Sequence, residues 1–412
     1  MKTNNLVIVT LFFFIIIKIL YYNILFSSPL NGSEWIKLYN NYNQNLNFNY
    51  FELDGKIIDF SNHRSIFYQI FLISTVKISF EFVIYIQIIL SSVTAYIFFQ
   101  LVKKIYSSNT GLIFVFIFLF FPLSFYLNLN LNEINIFLFL FSIYLYLSQE
   151  FINNKGNFYK IFIYSLIAFL LSITKSAFII IYLSTLFFLL IYKIINLKNI
   201  LISILVFILF SSPLILKKFS NNNLILTSNN LGINLWQSWN EPNTSNIKNI
   251  NSLKINGISD LLSDSAKIKI EHLKNDSNWI YKVNKIYFDE IIKKFKQNKL
   301  EFVKIYFSRI FSLYFWFINY DFPKANHFMI VLPWLFVILN FFIFFNKKKN
   351  NFISSQNKIF EKLIIFIIGV YTLLLPIFNL IPMDKLIIFP LVCFFASENI
   401  FYFYKKIKSN KI

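Results

Sequence analysis

Long apolar runs closed by short polar breaks set the plan of this chain. A bilayer core of about 30 Å calls for roughly 20 apolar residues per helix. Ten runs approach that length: 6–26, 81–102, 111–127, 133–150, 158–173, 176–194, 199–216, 327–346, 360–379 and 386–404. They predict an all-α polytopic membrane protein of about ten transmembrane helices. The first run starts behind Lys2 but outlasts a signal-peptide core and has no small-residue cleavage site, so it reads as a retained span. Two longer segments, 27–80 and 217–326, separate the runs. In the second, Ile280, Val283, Ile286, Tyr287, Ile291 and Ile292 recur at helical spacing among charges, predicting a small, mostly helical domain. The stretch 301–320 is apolar but holds Glu301, Lys304 and Arg309, which suits an interfacial helix better than a further span. The expected division is a transmembrane module at 1–216 with an outer loop at 27–80, an extracytoplasmic domain at 217–326, and C-terminal transmembrane helices at 327–412.

Composition agrees: 57% of residues are hydrophobic and 14% charged, beyond what a soluble core absorbs. The net charge of +20 raises nucleic acid as a partner, but the placement of the lysines argues otherwise. Sorted alternately, one set of breaks holds Lys103, Lys104, Lys155, Lys160, Lys193, Lys198, Lys347–Lys349, Lys358, Lys362 and the lysines of the C-terminal tail. The other set holds only Lys175 and Lys385. Short loops rich in Lys stay in the cytoplasm. The pattern therefore predicts cytoplasmic termini in an inner (plasma) membrane of bacterial type, the lipid bilayer as partner, and no nucleic acid. Long translocated segments are exempt from this bias, so the lysines of 217–326 do not contradict it.

Glycines stand only at 32, 55, 111, 156, 232, 257 and 369, which excludes a G-x-G-x-x-G turn and a Walker A loop. His63, His272 and His327 are too scattered for a zinc site, and the single Cys393 forms no internal disulfide. No cofactor is implied, apart from a divalent cation that a carboxylate could hold. Polar residues collect instead at the predicted outer face: Asn31-Gly32-Ser33-Glu34-Trp35, His63-Arg64-Ser65, Asn130-Leu131-Asn132-Glu133, Thr174-Lys175-Ser176 and Asp384-Lys385. Ionisable groups at membrane depth are costly and mark functional sites.

These stretches, in this order, resemble the GT-C membrane glycosyltransferases of the family 39 type, related to protein O-mannosyltransferases and lipid A aminoarabinose transferases. The likeness rests on an acid after the first span (Glu34), Arg64 with Tyr68 before the next apolar run, and Glu133 opening the fourth span after Pro122. It also rests on Lys175 after the fifth span, Ser212-Pro213 before the loop 227–236, and Asp384-Lys385 ahead of Pro390. The chain departs from the family in carrying Glu34 where Asp is common and Lys175 where Arg is frequent.

The resemblance implies a GT-C fold and an inverting glycosyltransferase that moves a sugar from a polyprenyl-phosphate carrier to an extracytoplasmic glycan, lipid or protein. Glu34 would be the general base, against a plain helix-terminal charge capped by Ser33. Glu133 suits a catalytic partner, a metal ligand or a cap of the fourth span. Arg64, Lys175 and Lys385 would neutralise the donor phosphate, against snorkelling to lipid headgroups. Trp236 and Trp239 suit either sugar stacking or an interfacial belt. A lipid-linked-glycan flippase or an O-antigen-polymerase-like protein are the alternatives.

Overall fold

The computed structural model describes residues 3–25, 50–53, 56–59, 65–76, 78–122, 124, 129, 131–153, 158–220, 235–236, 239, 262–273, 279–315, 324–346, 354–377 and 382–409. Among them, helices dominate: α1 (Thr3–Leu25), α2 (Ile66–Val76), α3 (Phe80–Ile105), α4 (Ser108–Phe120), α5 (Ile134–Asn153), α6 (Phe158–Thr174) and α7 (Phe178–Ile191). The chain continues with α8 (Leu197–Ser220), α9 (Asp264–His272), α10 (Trp279–Gln297), α11 (Lys299–Phe315), α12 (Lys324–Asn346), α13 (Ser355–Leu374) and α14 (Pro382–Ser409). A short antiparallel hairpin, β1 (Tyr50–Leu53) with β2 (Lys56–Asp59), interrupts the helical plan. It was not expected from apolar periodicity, although Asp54-Gly55 between its strands is a two-residue hairpin signal.

Each of the ten apolar runs coincides with a helix, namely α1, α3–α8 and α12–α14. Among the described residues, six stretches are long and apolar enough to cross a membrane: Thr3–Ile24, Glu81–Ile105, Ile134–Asn153, Leu197–Leu214, Ser355–Ile377 and Leu386–Ser409. The apolar parts of α4, α6, α7 and α12 are shorter. α4 was expected to reach residue 127 but ends at Phe120. Pro122 disfavours helix at the residue before it, and Phe121 turns extended (φ −62°, ψ 122°).

In the bundle α3 packs on α4 and α5, α6 on α8, and α14 on α4 and α12. The α3–α4 approach depends on Gly111, where an added Cβ would lie 2.7 Å from the Phe99 ring. Aromatic rings fill the interior, with Phe389 stacked on Phe121 at 4.2 Å and on Trp334 at 5.9 Å. Buried polar groups tie helices together. Ser203 meets both Ser165 and Tyr182 at 2.7 Å, and Asn399 Nδ2 donates to Asn340 Oδ1 at 2.8 Å.

The lysine-rich breaks gather at one end of the bundle. Lys103 reaches Asn4, Lys104 pairs with Glu150, Asn357 Nδ2 donates to the Lys104 carbonyl, and Lys362 lies over the Tyr192 ring. Those contacts join the ends of α1, α3, α5, α7 and α13.

A second hydrophobic cluster, separate from the bundle core, contains Trp236, Trp239, Leu262, Ala266, Val283, Tyr287, Ile291 and Phe302. It is built by α9–α11, in the segment read as mostly helical. Ser263 caps α9, accepting from Ala266 N. Burial pushes the Tyr287 phenol up to about 12. Burial also pushes the Glu290 carboxyl up, but hydrogen bonds from Lys293 and Ser263 outweigh it and hold the group below the usual carboxylate value.

Candidate functional site

The opposite end of the bundle brings together residues far apart in sequence, starting from the ends of α5 and α6. Glu133 occupies the N-cap position of α5: its carbonyl accepts the first helical bond, from Phe137 N at 3.0 Å. Asn132 Oδ1 accepts from Ile134 N at 3.0 Å and satisfies one of the orphan donors of that helix start. Lys175 follows the last residue of α6, and its backbone N still donates to the Leu171 carbonyl. A carboxylate at a helix N-terminus and an ammonium at a helix C-terminus are each favoured by the helix dipole. The two side chains meet in an ion pair, Lys175 Nζ to Glu133 Oε1 at 3.0 Å, both partly buried.

α2 and α3 complete the site. Ser65 caps α2, accepting from Tyr68 N at 3.3 Å, and its hydroxyl donates to the Ile173 carbonyl near the end of α6 at 3.4 Å. Tyr68 OH donates to Gln87 Oε1 at 3.0 Å, and the same oxygen accepts from Asn132 N at 3.5 Å. Tyr68 and Gln87 are fully buried. Gln87 therefore links α2, α3 and the turn that presents Glu133. Two residues into α5, Asn135 is buried with an Nδ2 that meets no hydrogen-bond acceptor among the described residues.

The five sequence-expected site residues fare differently. Glu133 and Lys175, 42 positions apart, are in direct contact. Arg64 lies outside the described residues, although Ser65, its neighbour in sequence, is bonded beside Lys175. Glu34 lies outside them too. Lys385 was expected in a loop ahead of the last span; instead α14 starts at Pro382, which suits a first helical position, so Asp384 and Lys385 belong to its first turn. Their side chains are outside the described set. Trp236 and Trp239 are corrected: both are buried in the α9–α11 core, with Trp239 stacked on Phe302 at 4.5 Å, and neither presents a free face to a sugar.

Sequence reasoning missed Gln87. Its signal was a run of polar residues, Gln87, Ser91 and Thr94, on one helical face of an otherwise apolar stretch. It also missed Lys18, fully buried in α1 with its ammonium 4.8 Å from the Phe14 ring. Among the described residues no cluster of three or more His, Cys, Asp or Glu side chains is placed to hold a metal.

Chemically, the pair sets a carboxylate against an ammonium at a junction where buried donors and acceptors fix the geometry. A second anion at this place would compete with Glu133 for Lys175. No family model matches the chain, and no match is found among curated proteins or among solved structures.

Proposed function

We propose that this chain is an inverting membrane glycosyltransferase that uses a polyprenyl-phosphate sugar and acts on an acceptor outside the cytoplasmic membrane. The observation that carries the reading is the Glu133–Lys175 ion pair set between two helix ends beside Ser65, Tyr68 and Gln87. In this reading all ten bundle helices cross or enter the bilayer, the lysine-rich end faces the cytoplasm, and residues 217–326 form the extracytoplasmic domain. The donor's prenyl chain lies among the helices, and its phosphate meets Lys175, Arg64 and Lys385 at the outer face. Charge developing on the leaving phosphate is stabilised there. Glu34 or Glu133 removes the proton of the acceptor hydroxyl in a single displacement that inverts the anomeric carbon.

The test uses the full chain in lipid nanodiscs with a polyprenyl-phosphate sugar and a soluble sugar acceptor. Parent protein is expected to release polyprenyl phosphate as the acceptor gains the sugar, and Glu133→Gln to lose that transfer while still binding donor. Absence of donor binding by the parent protein sinks the reading.

A further inference from the structure

α10 and α11 carry more exposed apolar surface than their own core requires, and its placement follows a pattern. On α10 the buried side is Val283, Tyr287 and Ile291. A second stripe, Phe288, Ile292 and Phe295, is exposed beside it, and Lys282, Lys285 and Lys293 occupy the next sector round the helix. On α11 the division is sharper. Phe302, Tyr306 and Leu313 turn inward, while Leu300, Val303, Phe307 and Phe311 on the opposite side are 48–75% exposed. Phe295 rests edge-on against the inward Phe302 at 5.3 Å, so the α10 stripe borders the core beside the single residue Asn298 that links the helices.

The level of this surface is fixed by hydrogen bonds to one place. Tyr306 OH donates to the Leu373 carbonyl at 2.7 Å, Arg309 Nη1 to the Pro376 carbonyl at 3.3 Å, and Trp239 Nε1 to the Ile377 carbonyl at 3.1 Å. Tyr314 OH and Thr372 Oγ1 are also bonded. Those acceptors belong to the last turn of Ser355–Ile377, a stretch long and apolar enough to cross a membrane. α11 is thus pinned where such a helix leaves the hydrocarbon. Residues 279–315 carry eight basic and three acidic side chains, an excess that complements phosphate-bearing headgroups.

We infer that α10 and α11 form a hairpin seated in the bilayer interface, its exposed Phe, Leu and Val stripe among the upper acyl chains and its lysines on anionic headgroups. The seat follows the physics of in-plane amphipathic helices, which combine an apolar side with a cationic rim. It also gives a role to the lysines of 217–326 that topology alone does not require. This inference stands independently of the catalytic reading.

Full-length Cys393→Ser protein, bearing one cysteine at Leu300, Val303, Phe307 or Lys282 and labelled with an environment-sensitive fluorophore, is reconstituted in vesicles containing phosphatidylglycerol. Lipids spin-labelled near the headgroup are expected to quench positions 300, 303 and 307 at least about twofold more than position 282, with aqueous iodide giving the reverse order. Replacing Lys285, Lys296 and Lys299 by Gln, or phosphatidylglycerol by neutral lipid, should reduce the lipid quenching. Iodide quenching of 300, 303 and 307 as strong as that of 282 would overturn the seat in the bilayer. Lipid quenching indifferent to both charge changes would overturn the headgroup contact. Circular dichroism and unchanged reconstitution yield show that each labelled protein is folded.

Discussion

The two ends of the bundle each hold a lysine–glutamate pair, and the pairs are not equivalent. At the lysine-rich end Glu150 is shared, 2.7 Å from Lys104 and 3.8 Å from Lys160, and Lys104 also bonds Tyr146 OH at 3.0 Å. Its members are 20–36% exposed in a crowd of like-charged neighbours. At the other end Lys175 and Glu133 are 17–22% exposed and stand on two helix ends of matching polarity, over the buried Tyr68, Gln87 and Asn132. Similar distances thus conceal different consequences of loss. At the first end Glu150 keeps a second cation when either lysine is lost. At the second end the remaining charge is held among fixed, partly desolvated polar groups. The first arrangement suits orientation and solubility, the second the proposed chemistry.

The sharpest way to break this contrast is to neutralise each acid in turn. Glu133→Gln is expected to lower transfer by about 10²–10⁴-fold with the fold intact. Glu150→Gln should stay near the parent rate in the same assay. Equal losses would erase the distinction. Next in size, Lys175→Met should weaken binding of the lipid-phosphate donor by about 1.5–3 kcal/mol, measured by calorimetric titration in nanodiscs, while Lys104→Met leaves it unchanged.

A third variant moves the penalty from turnover to stability. Tyr106 OH donates to Glu361 Oε1 at 2.7 Å, and Glu361 is fully buried near the lysine-rich end. Tyr106→Phe removes that donor and should cost about 1–3 kcal/mol in thermal unfolding while sparing transfer. A loss of turnover without a loss of stability would show the lysine-rich end to be functional.

The smallest expected effect lies outside the bundle. Glu290 is held below its ordinary value, so its stabilising contribution is complete above pH 4.5 and fades as pH falls through the lower, folded-state value. The packing of α9 on α10, followed by fluorescence of Trp236 and Trp239, should therefore be flat down to about pH 4.5. It should loosen only below that, and Glu290→Gln should remove the acid transition.

Apolar periodicity was enough to locate the ten bundle helices and α10–α11, because a helix that long leaves a run that no turn chemistry interrupts. It overran α4, where one proline outweighs several apolar residues, and it passed over the hairpin, whose signal is only a dipeptide. For the site, Glu133 and Lys175 were legible individually as charges out of place. Their pairing was not: the lysine distribution put both at one face, but not which of the helix ends there touch. Gln87 was hidden for a related reason: an amide inside an apolar run looks incidental until its partners, Tyr68 and Asn132, are brought to it by the fold.

The shortness of α7 bears on the thickness of the surrounding bilayer. Its outward residues Ile180, Leu183, Phe187 and Ile191 are 45–59% exposed, and all lie within a helix of 14 residues. At 1.5 Å per residue such a helix is about 21 Å tall, well below a hydrocarbon core of about 30 Å. In the proposed topology, where α7 spans the bilayer, lipid along this side must thin to match, at a cost of fractions of a kcal/mol per Å. Lys175 lies three residues before α7, so the leaflet would be shallowest beside the ion pair. A lipid whose headgroup must reach that pair would then have less hydrocarbon to displace along α7 than along any of the six long helices.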